Sequence, residues 1–367
     1  MPIPQRLLAL LVAIAAAIPA HSQSPTSLPT GVFRSGPATI TLAADGSTDM
    51  VMPTAEWKGS VRTHADTVWV SDQSPACADA GAGQYLWSAT DTVLTLQPIS
   101  DFCQPRLASG LLVWHRVQSE PTVLTITARD YAFEASDTIA AGPITIRLRN
   151  AGQDFHEVGL VRLTDGHTLA DVAHAIDTRQ HVAWAAELGG VAAVAPGDDA
   201  SVTLEVPAGS YVVICGVPDA HGTPHAMKGM MRALVVTGPS TGPSTATMPH
   251  PDVTVDMREY EFALSHPLTA GAHMALVRNI GAERHMLILI RLAPGKSAAD
   301  LVAWEHHRAG PPPARPIGGV AEMDAGTSVV WPMQLSAGHY ALICFADAPD
   351  GKTHADHHMV SEFTIAP

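Results

Sequence analysis

The sequence predicts an all-β protein in which a small barrel precedes two Greek-key β-sandwiches. Three observations favour this class: short runs that alternate polar with apolar residues, 29 glycines with 29 prolines, and a long internal repeat. Hydrophobic residues make up 46% of the chain and charged residues 15%, which leaves enough apolar surface to fold. The net charge of -14 repels phosphate backbones, so we expect no nucleic acid partner.

Residues 1–22 have the pattern of an export signal peptide. Arg6 supplies a positive charge, the run from Leu7 to Ala20 is apolar, and small residues near Ala20 to Ser22 offer a cleavage site. The run is shorter than the ~18 residues that a membrane helix needs, and no later stretch approaches that length. We therefore expect an exported protein, periplasmic or secreted, without a membrane span.

Residues 28–118 are expected to form the small barrel. Its strand-like runs are Ala38 to Ala43, Thr67 to Val70, Gln84 to Ser88, Thr92 to Gln97 and Leu111 to Arg116, with Asp45-Gly46 as a hairpin turn. Gly31-Val32-Phe33 at the start, the Asp-Gly turn and Arg106 near the last strand resemble the lipocalin-like barrel families in outline.

The rest of the chain is a duplication. At an offset of 129 residues, Thr122 to Thr237 aligns with Pro251 to Ala366 without a gap. Identical pairs include Tyr131 with Tyr260, Phe133 with Phe262, Asn150 with Asn279, and Gly189-Gly190 with Gly318-Gly319. We expect one domain over residues 121–237 and another over 251–367, each with its own core and sheets. The Gly-, Pro-, Ser- and Thr-rich segment 238–250 is predicted to be a linker outside both.

Within a repeat, the pattern predicts strands and one helix. Val123 to Ala128 and Ile144 to Leu148 alternate at period two, and Ala141-Gly142 between them suggests a hairpin-like pair. Further strands are expected over Glu157 to Leu163, Ser201 to Val206, Tyr211 to Cys215 and Arg232 to Val236. Thr168 to Ile176 carries a helical apolar stripe, with Thr168 as the N-cap.

The four cysteines fall into two classes. Cys215 and Cys344 are equivalent positions of the repeat, whereas Cys77 and Cys103 both lie in the barrel segment. In an oxidising compartment we expect Cys77 and Cys103 to form a disulfide; two buried thiols are the alternative.

Four metal-competent residues occupy equivalent positions in both repeats. They are His156, Cys215, His225 and Met230 in the first repeat and His285, Cys344, His354 and Met359 in the second. In each repeat nine residues separate the Cys from the second His, and four separate that His from the Met. Two imidazoles, a thiolate and a weak thioether suit copper in an electron-transfer site.

With these residues in view, the two repeats resemble the cupredoxins, the plastocyanin and azurin superfamily of type 1 copper domains. The resemblance implies a β-sandwich that binds one copper at its end through these four side chains, and hence one copper per repeat. The segment between Cys and His is longer than is usual in that family. His358 stands where the first repeat has Gly229, so we expect the first site to be the better formed. We assign no ligand role to the other loop histidines, which are His221, His357, His358 and the pair His306-His307.

Two functions remain open at this stage. The first is an exported copper protein that transfers electrons to a redox partner protein or handles copper. The second is a structural or ligand-binding protein in which the four side chains are merely core residues. Multicopper oxidases and copper nitrite reductases need a His next to the copper Cys, but Ile214 and Gly216 flank Cys215, and Ile343 and Phe345 flank Cys344. An enzyme of that kind is therefore not expected.

Overall fold

The computed structural model describes residues 27–52, 55–90, 92–117, 120–164, 166–178, 182–238 and 246–366. The export signal expected over 1–22 and residues 239–245 of the expected linker lie outside those ranges. The chain divides after Val117 into two units. Within the described residues, no helix is both long and apolar enough to cross a membrane.

The first unit contains a closed barrel of eight antiparallel strands, each paired with the next in sequence and the last with the first. They are β1 (Gly31–Ser35), β2 (Ala38–Leu42), β3 (Ser47–Met52), β4 (Ala55–His64), β5 (Thr67–Asp72), β6 (Gly83–Ala89), β7 (Val93–Ser100) and β8 (Val113–Arg116). A short helix, α1 (Gln104–Gly110), precedes β8. The predicted barrel is thus confirmed, although the sequence patterns had not singled out β1, β3 and β4.

Period-two alternation fills the barrel. Phe33, Ile40, Leu42 and Trp114 point inward and are at most 6% exposed, while their strand neighbours are more accessible. Closure leaves no free strand edge, so a sheet of short strands can be stable without a partner.

The second unit repeats its elements at the offset of 129 residues. The first repeat contains β9 (Thr122–Arg129), β10 (Ala132–Glu134), β11 (Thr138–Ala140), β12 (Gly142–Asn150), β13 (His156–Leu163), α2 (Leu169–Asp177), β14 (Ala185–Val194), β15 (Asp199–Val206), β16 (Gly209–Ile214) and β17 (Met231–Thr237). The second contains β18 (Val253–Arg258), β19 (Glu261–Leu264), β20 (Gly271–Asn279), β21 (His285–Leu292), α3 (Ala298–His307), β22 (Ala314–Met323), β23 (Ser328–Leu335), β24 (Gly338–Ile343) and β25 (Val360–Ile365). Of these, β11 alone lacks a counterpart among the described residues.

The predicted helix is confirmed. It begins after Thr168, and the Asp171 carboxylate accepts a hydrogen bond from the Thr168 backbone N–H (2.7 Å), which closes a capping box. The predicted hairpin between β9 and β12 is wrong: the two strands are parallel, with Ile144 opposite Thr122. The chain first turns back through β10, which pairs antiparallel with β9. Alternation alone cannot distinguish these pairings, because both bury the same face.

The expectation that each repeat has its own sheets and core is also wrong. One eight-stranded sheet runs β10-β9-β12-β15-β23-β20-β18-β19, and one nine-stranded sheet runs β11-β17-β16-β13-β14-β22-β21-β24-β25. Both sheets therefore cross from one repeat to the other, and a single apolar core extends between them from Leu124 to Ile365. The sequence did not reveal the continuous sheets. The apolar residues of β14 and β22 fit a strand inside a separate sandwich as well as a strand at the junction of two repeats.

The register between β14 and β22 is reciprocal. Leu188 lies opposite Met323, Val191 opposite Val320, and Val194 opposite Ile317. Val191 and Val320 are equivalent by the repeat offset, and the other two pairs interchange under it. The pairing therefore has a local two-fold axis at Val191 and Val320, as in an isologous dimer interface. The Gly doublets beside them are needed here. A Cβ on Gly190, whose φ is +145°, would lie 1.9 Å from the Val158 carbonyl oxygen.

Two features secure the end of the barrel that carries α1. Cys77 and Cys103 form the predicted disulfide, with their Cα atoms 5.2 Å apart. The Asp101 carboxylate, fully buried, pairs with the Arg106 Nε at 2.7 Å and accepts hydrogen bonds from Tyr85 and from the Cys103 backbone N–H. Burial acts to raise the pKa of Asp101, but the hydrogen bonds from Arg106 and Tyr85 outweigh it and hold the pKa below its usual value.

Removing this carboxylate should destabilise the barrel. We expect Asp101→Ala to cost about 3–5 kcal/mol, because it leaves the buried Arg106 guanidinium without its main partner. Native-state hydrogen exchange of the β6 and β7 amides measures the loss. The matched control is Asp49→Ala, since Asp49 is half exposed and lies 3.9 Å from Lys58, so that its removal should cost no more than about 1 kcal/mol.

The same carboxylate gives a pH test. Because its pKa is lowered in the fold, it stabilises the barrel above the ordinary Asp pKa of about 4, and that contribution is lost as the pH falls through the lower folded value. The wild-type barrel should therefore lose more stability on acidification than Asp101→Ala does. Equal losses, or a cost for Asp101→Ala no larger than for Asp49→Ala, would contradict this role.

Candidate metal centres

Three of the four predicted ligands in each repeat come together. His156 opens β13, Cys215 follows β16, and His225 lies in the loop before β17. Their side-chain donor atoms lie within 4.8 Å of one another, as do those of His285, Cys344 and His354. All six side chains are fully buried.

The donor distances in the first centre suit one ion. Cys215 Sγ lies 3.9 Å from His156 Nδ1 and 3.5 Å from His225 Nδ1. A thiolate and an imidazole about 2.3 and 2.0 Å from a shared trigonal or tetrahedral ion are roughly 3.5 to 3.8 Å apart. The chemistry of the donor set points the same way, because soft thiolate with imidazole selects copper or zinc.

The second centre is similar but tighter. Cys344 Sγ lies 3.5 Å from His354 Nδ1, and the Nδ1 atoms of His285 and His354 are 2.9 Å apart. Two nitrogens on one ion are roughly 3.3 Å or more apart, so these rings would have to separate slightly to bind a metal. The Met286 backbone N–H also donates to Cys344 Sγ at 3.3 Å, and a donor of this kind favours thiolate.

The long segment between Cys and His folds into a side excursion. The His225 N–H donates to the Val217 carbonyl at 2.9 Å, and the Ala226 N–H donates to the Cys215 carbonyl at 2.9 Å. Pro218 and Pro224 pair at the base of the excursion, so the intervening residues project away and the imidazole returns beside the thiol. The second repeat has the same arrangement, with Asp347 paired to Thr353.

The two methionines are held next to the cysteines by backbone hydrogen bonds. The Cys215 N–H donates to the Met230 carbonyl at 3.2 Å, and the Cys344 N–H donates to the Met359 carbonyl at 3.3 Å. Both methionine side chains are fully buried. They belong to the same apolar core as the cysteines, so packing and ligation are both open to them.

Carboxylates on the outer side of the imidazoles were not predicted. His156 Nε2 lies 2.8 Å from Asp130 Oδ1, and His225 Nε2 lies 3.8 Å from Asp154 Oδ2. A carboxylate that receives the outer N–H of an imidazole fixes its tautomer and leaves the inner nitrogen free to bind a metal. The repeat did carry a signal, because both positions are acidic in both copies.

In the second repeat the equivalents are Glu259 and Glu283. Glu259 Oε1 lies 3.6 Å from His285 Nε2, and Glu283 Oε2 lies 3.0 Å from His354 Nε2. Despite that short approach, the atoms of the Glu283 and His354 pair are not aligned for a hydrogen bond, and both remain buried without a partner. A small rotation of either side chain would satisfy them.

A shared scaffold positions these groups. The Asn150 Nδ2 donates to the Asp154 carbonyl and to the Val194 carbonyl, both at 2.8 Å, and the Gly152 N–H donates to Asn150 Oδ1. Asn279 makes the equivalent bonds in the second repeat. The Asn-x-Gly turn singled out in the sequence thus links the start of β13 to the end of β14, and this fixes where the first His enters the site.

Aromatic rings close the outer side of the second His. The Tyr131 ring lies edge-on to His225 with centroids 4.7 Å apart, and the Tyr131 hydroxyl donates to Asp154 Oδ2 at 3.1 Å. Tyr260 packs on His354 in the same way, at 4.9 Å. Two tyrosines found in the sequence as an identical pair thus take part in positioning the imidazoles.

The environment favours neutral side chains until a metal arrives. Burial and then repulsion from His156 lower the pKa of His225, and burial also lowers the pKa of His285 and of His354. Burial raises the pKa of the Cys344 thiol to about 12 and raises that of Cys215 as well. Neutral imidazole is the form that binds metal, whereas each thiol must release its proton to do so.

The remaining loop histidines lie where a ligand role is not supported. His221 and His358 are exposed, and His358 takes φ of +67° at the position of Gly229, where an added Cβ would meet no atom within 4 Å. The histidine therefore does not crowd the second site. The His357 ring stacks on Tyr260 at 4.8 Å, and its Nε2 lies 3.1 Å from Asp350 Oδ1.

No protein-family model and no curated protein matches the chain. Similar solved structures include auracyanin from Roseiflexus castenholzii and the blue copper protein auracyanin A from Chloroflexus aurantiacus, at 19% and 22% identity and TM-scores of 0.22 and 0.24. Each covers 32% of this chain and 99% of its own. A copper-containing nitrite reductase from Thermus scotoductus has 12% identity and a TM-score of 0.19, covering 67% of this chain and 61% of its own. TM-scores this low add nothing to the geometry of the sites.

A methyl group in the Asn-x-Gly turn should disturb the first centre. A Cβ on Gly152 would lie 2.3 Å from Asp130 Oδ1 and 2.6 Å from His156 Nε2. We expect Gly152→Ala to separate these two side chains, to destabilise the metal-free protein by about 1–3 kcal/mol, and to weaken metal binding at this centre only. Thermal unfolding and copper titration measure the two effects. Gly238→Ala is the control, because its Cβ would meet no atom within 4 Å. If the two variants have the same stability and the same metal affinity, the turn can accommodate a methyl group and the prediction is wrong.

Proposed function

We propose that this protein is an exported copper protein with two type 1-like copper sites, which transfers electrons or handles copper. The observation that carries the proposal is that a thiol and two imidazoles converge in each repeat, buried and at ligand spacing. Such a set has little use in an apolar core, where a buried polar group without a partner costs free energy. Copper bound there would supply a one-electron couple.

The chain's own residues would hold the metal and limit its reactions. The first repeat would use His156, Cys215 and His225, with Met230 as a weak fourth ligand, and the second His285, Cys344 and His354, with Met359. Full burial of the donors excludes water, which suits electron transfer because the surroundings need little reorganisation between the two oxidation states. The residues flanking Cys215 and Cys344 are not histidines, so no backbone relay leads to a catalytic copper.

Export is supported by the disulfide between Cys77 and Cys103 as well as by the amino-terminal sequence. Disulfides persist in oxidising compartments. In such a compartment, the two remaining thiols would be protected by burial and by the metal. A redox partner protein is part of the proposal, because an electron-transfer site needs an electron donor or acceptor outside the chain.

Copper titration tests the proposal. Adding Cu(II) to the metal-free protein should produce an intense blue thiolate-to-copper absorption that saturates at two copper ions per chain. Cys215→Ser and Cys344→Ser should each remove one equivalent and about half of the absorption, and the double variant should remain colourless. A double variant that binds copper as the wild type does, or a wild type that stays colourless, would instead favour the structural function.

The outer carboxylates should tune binding without being ligands. We expect Asp130→Ala to weaken copper binding at the first site about 10- to 100-fold, because His156 loses the partner of its outer nitrogen. Competition with a chromophoric chelator measures the change. Asp137→Ala is the matched control, since that carboxylate is 79% exposed and pairs with Arg232. If Asp130→Ala and Asp137→Ala bind copper with the same affinity, Asp130 does not support the His156 ligand.

A further inference from the structure

A cavity of about 430 Å³ lies within the second unit, where the two repeats meet. The residue that follows each candidate ligand cysteine, Gly216 and Phe345, forms part of its wall. Helix α3 contributes Leu301 and Trp304. The cavity volume falls within the roughly 300 to 1,000 Å³ typical of small-molecule sites, and such sites are frequent where domains meet.

The two repeats contribute equivalent positions to this wall, but with different chemistry. Glu157 pairs by the repeat offset with Met286, Glu322 with Ala193, and Asp347 with Pro218; all six residues line the cavity. In each pair one member is acidic and the other is apolar. Most residues that build the copper centres are similar in the two repeats, so these three differences mark the cavity as a separate feature.

The two basic side chains at the cavity, Arg308 and His306, already have partners of their own. The Arg308 guanidinium donates to the carbonyls of Pro218 (2.8 Å) and Asp219 (3.2 Å) and pairs with Glu305. His306 Nε2 lies 2.8 Å from Asp356 Oδ1. These cations therefore neutralise their own partners and not the three carboxylates that break the repeat.

Those three carboxylates lack a cation of their own on the wall. Glu157 accepts a hydrogen bond from the Gly216 backbone N–H at 2.9 Å. Among the described residues, no side chain or backbone group donates to the carboxylates of Glu322 and Asp347. Arg284 acts on Glu322 without lining the cavity, and its guanidinium pairs with Asp324 at 2.6 Å. Burial raises the pKa of Glu322; attraction from Arg284 opposes this shift, and repulsion from Asp347 and Asp324 adds to it.

We propose that this cavity binds a small organic cation with an apolar body, such as a primary amine on an aromatic or branched carbon frame. The ammonium group would lie against Glu322, Asp347 and Glu157, and the apolar body against Met286, Leu301 and Trp304. Aromatic walls add attraction for a cation. The occupant would sit beside the backbone that follows both candidate copper cysteines, yet its binding requires neither metal.

Isothermal titration calorimetry on the metal-free full chain tests the proposal, with 2-phenylethylammonium as the probe and 2-phenylethanol as its neutral counterpart. At mildly alkaline pH, which favours ionised carboxylates, the ammonium should bind at least tenfold more tightly than the alcohol. Glu322→Gln should remove most of that preference while leaving alcohol binding nearly unchanged. The matched control Glu205→Gln changes an exposed carboxylate outside the cavity and should bind the probe as the wild type does.

Three results would overturn the proposal: no measurable binding of the ammonium, equal binding of ammonium and alcohol, or an unchanged preference in Glu322→Gln. Should Glu322→Gln fold poorly, Asp347→Asn offers the same comparison from the second acidic position. None of these results depends on copper, so the cavity and the copper sites can fail independently.

Discussion

The antiparallel pairing of β14 with β22 is the contact on which the rest of the second unit depends. It joins the two repeats within the nine-stranded sheet, as the contact between β15 and β23 does within the eight-stranded sheet. A single core therefore extends across both repeats. The reciprocal register of Val191 and Val320 makes the pairing self-complementary, which allows two copies of one sequence pattern to use the same strand. The glycine doublets permit it, since any side chain at Gly190 would collide with the Val158 carbonyl. Because β13 and β21 lie next to these strands, the same contact fixes the positions of His156 and His285, the first residues of β13 and β21.

In each candidate copper centre, the strands position two of the ligands and the loop positions the third. The strands deliver the first His and the Cys, whose positions follow from sheet register, while the loop returns the second His through the bond from the His225 N–H to the Val217 carbonyl. That bond returns the imidazole to the site, so the long spacing between Cys and His is compatible with ligation. Outside the donors, carboxylates and tyrosine rings hold the imidazoles, which is the arrangement expected where tautomer and ring orientation must be fixed before the metal binds.

The sequence predicted local features well and long-range pairing poorly. Strand positions, the helix after Thr168, the disulfide and the convergence of His156, Cys215 and His225 depend on alternation, capping and the repeat filter, all of which are visible in the chain. The parallel pairing of β9 with β12 and the continuous sheets were missed, because an apolar strand fits equally well at a sheet centre and at a domain boundary. The outer carboxylates were missed for another reason: a filter for metal ligands ignores acidic residues whose only contact is the far nitrogen of a ligand.

A duplicated fold also separates two kinds of constraint. Positions that must be the same in both copies, such as Asn150 and Asn279 with their bonds to β14 and β22, report what the sandwich and its sites require. Positions that line the cavity between the copies can differ, because one changed side chain alters a shared space only once. Glu322, the equivalent of Ala193, and Asp347, the equivalent of Pro218, are such changes, and they add acidic side chains to the cavity wall from one repeat only. Chemistry that one repeat could not build alone can therefore arise at the junction without disturbing either candidate copper centre.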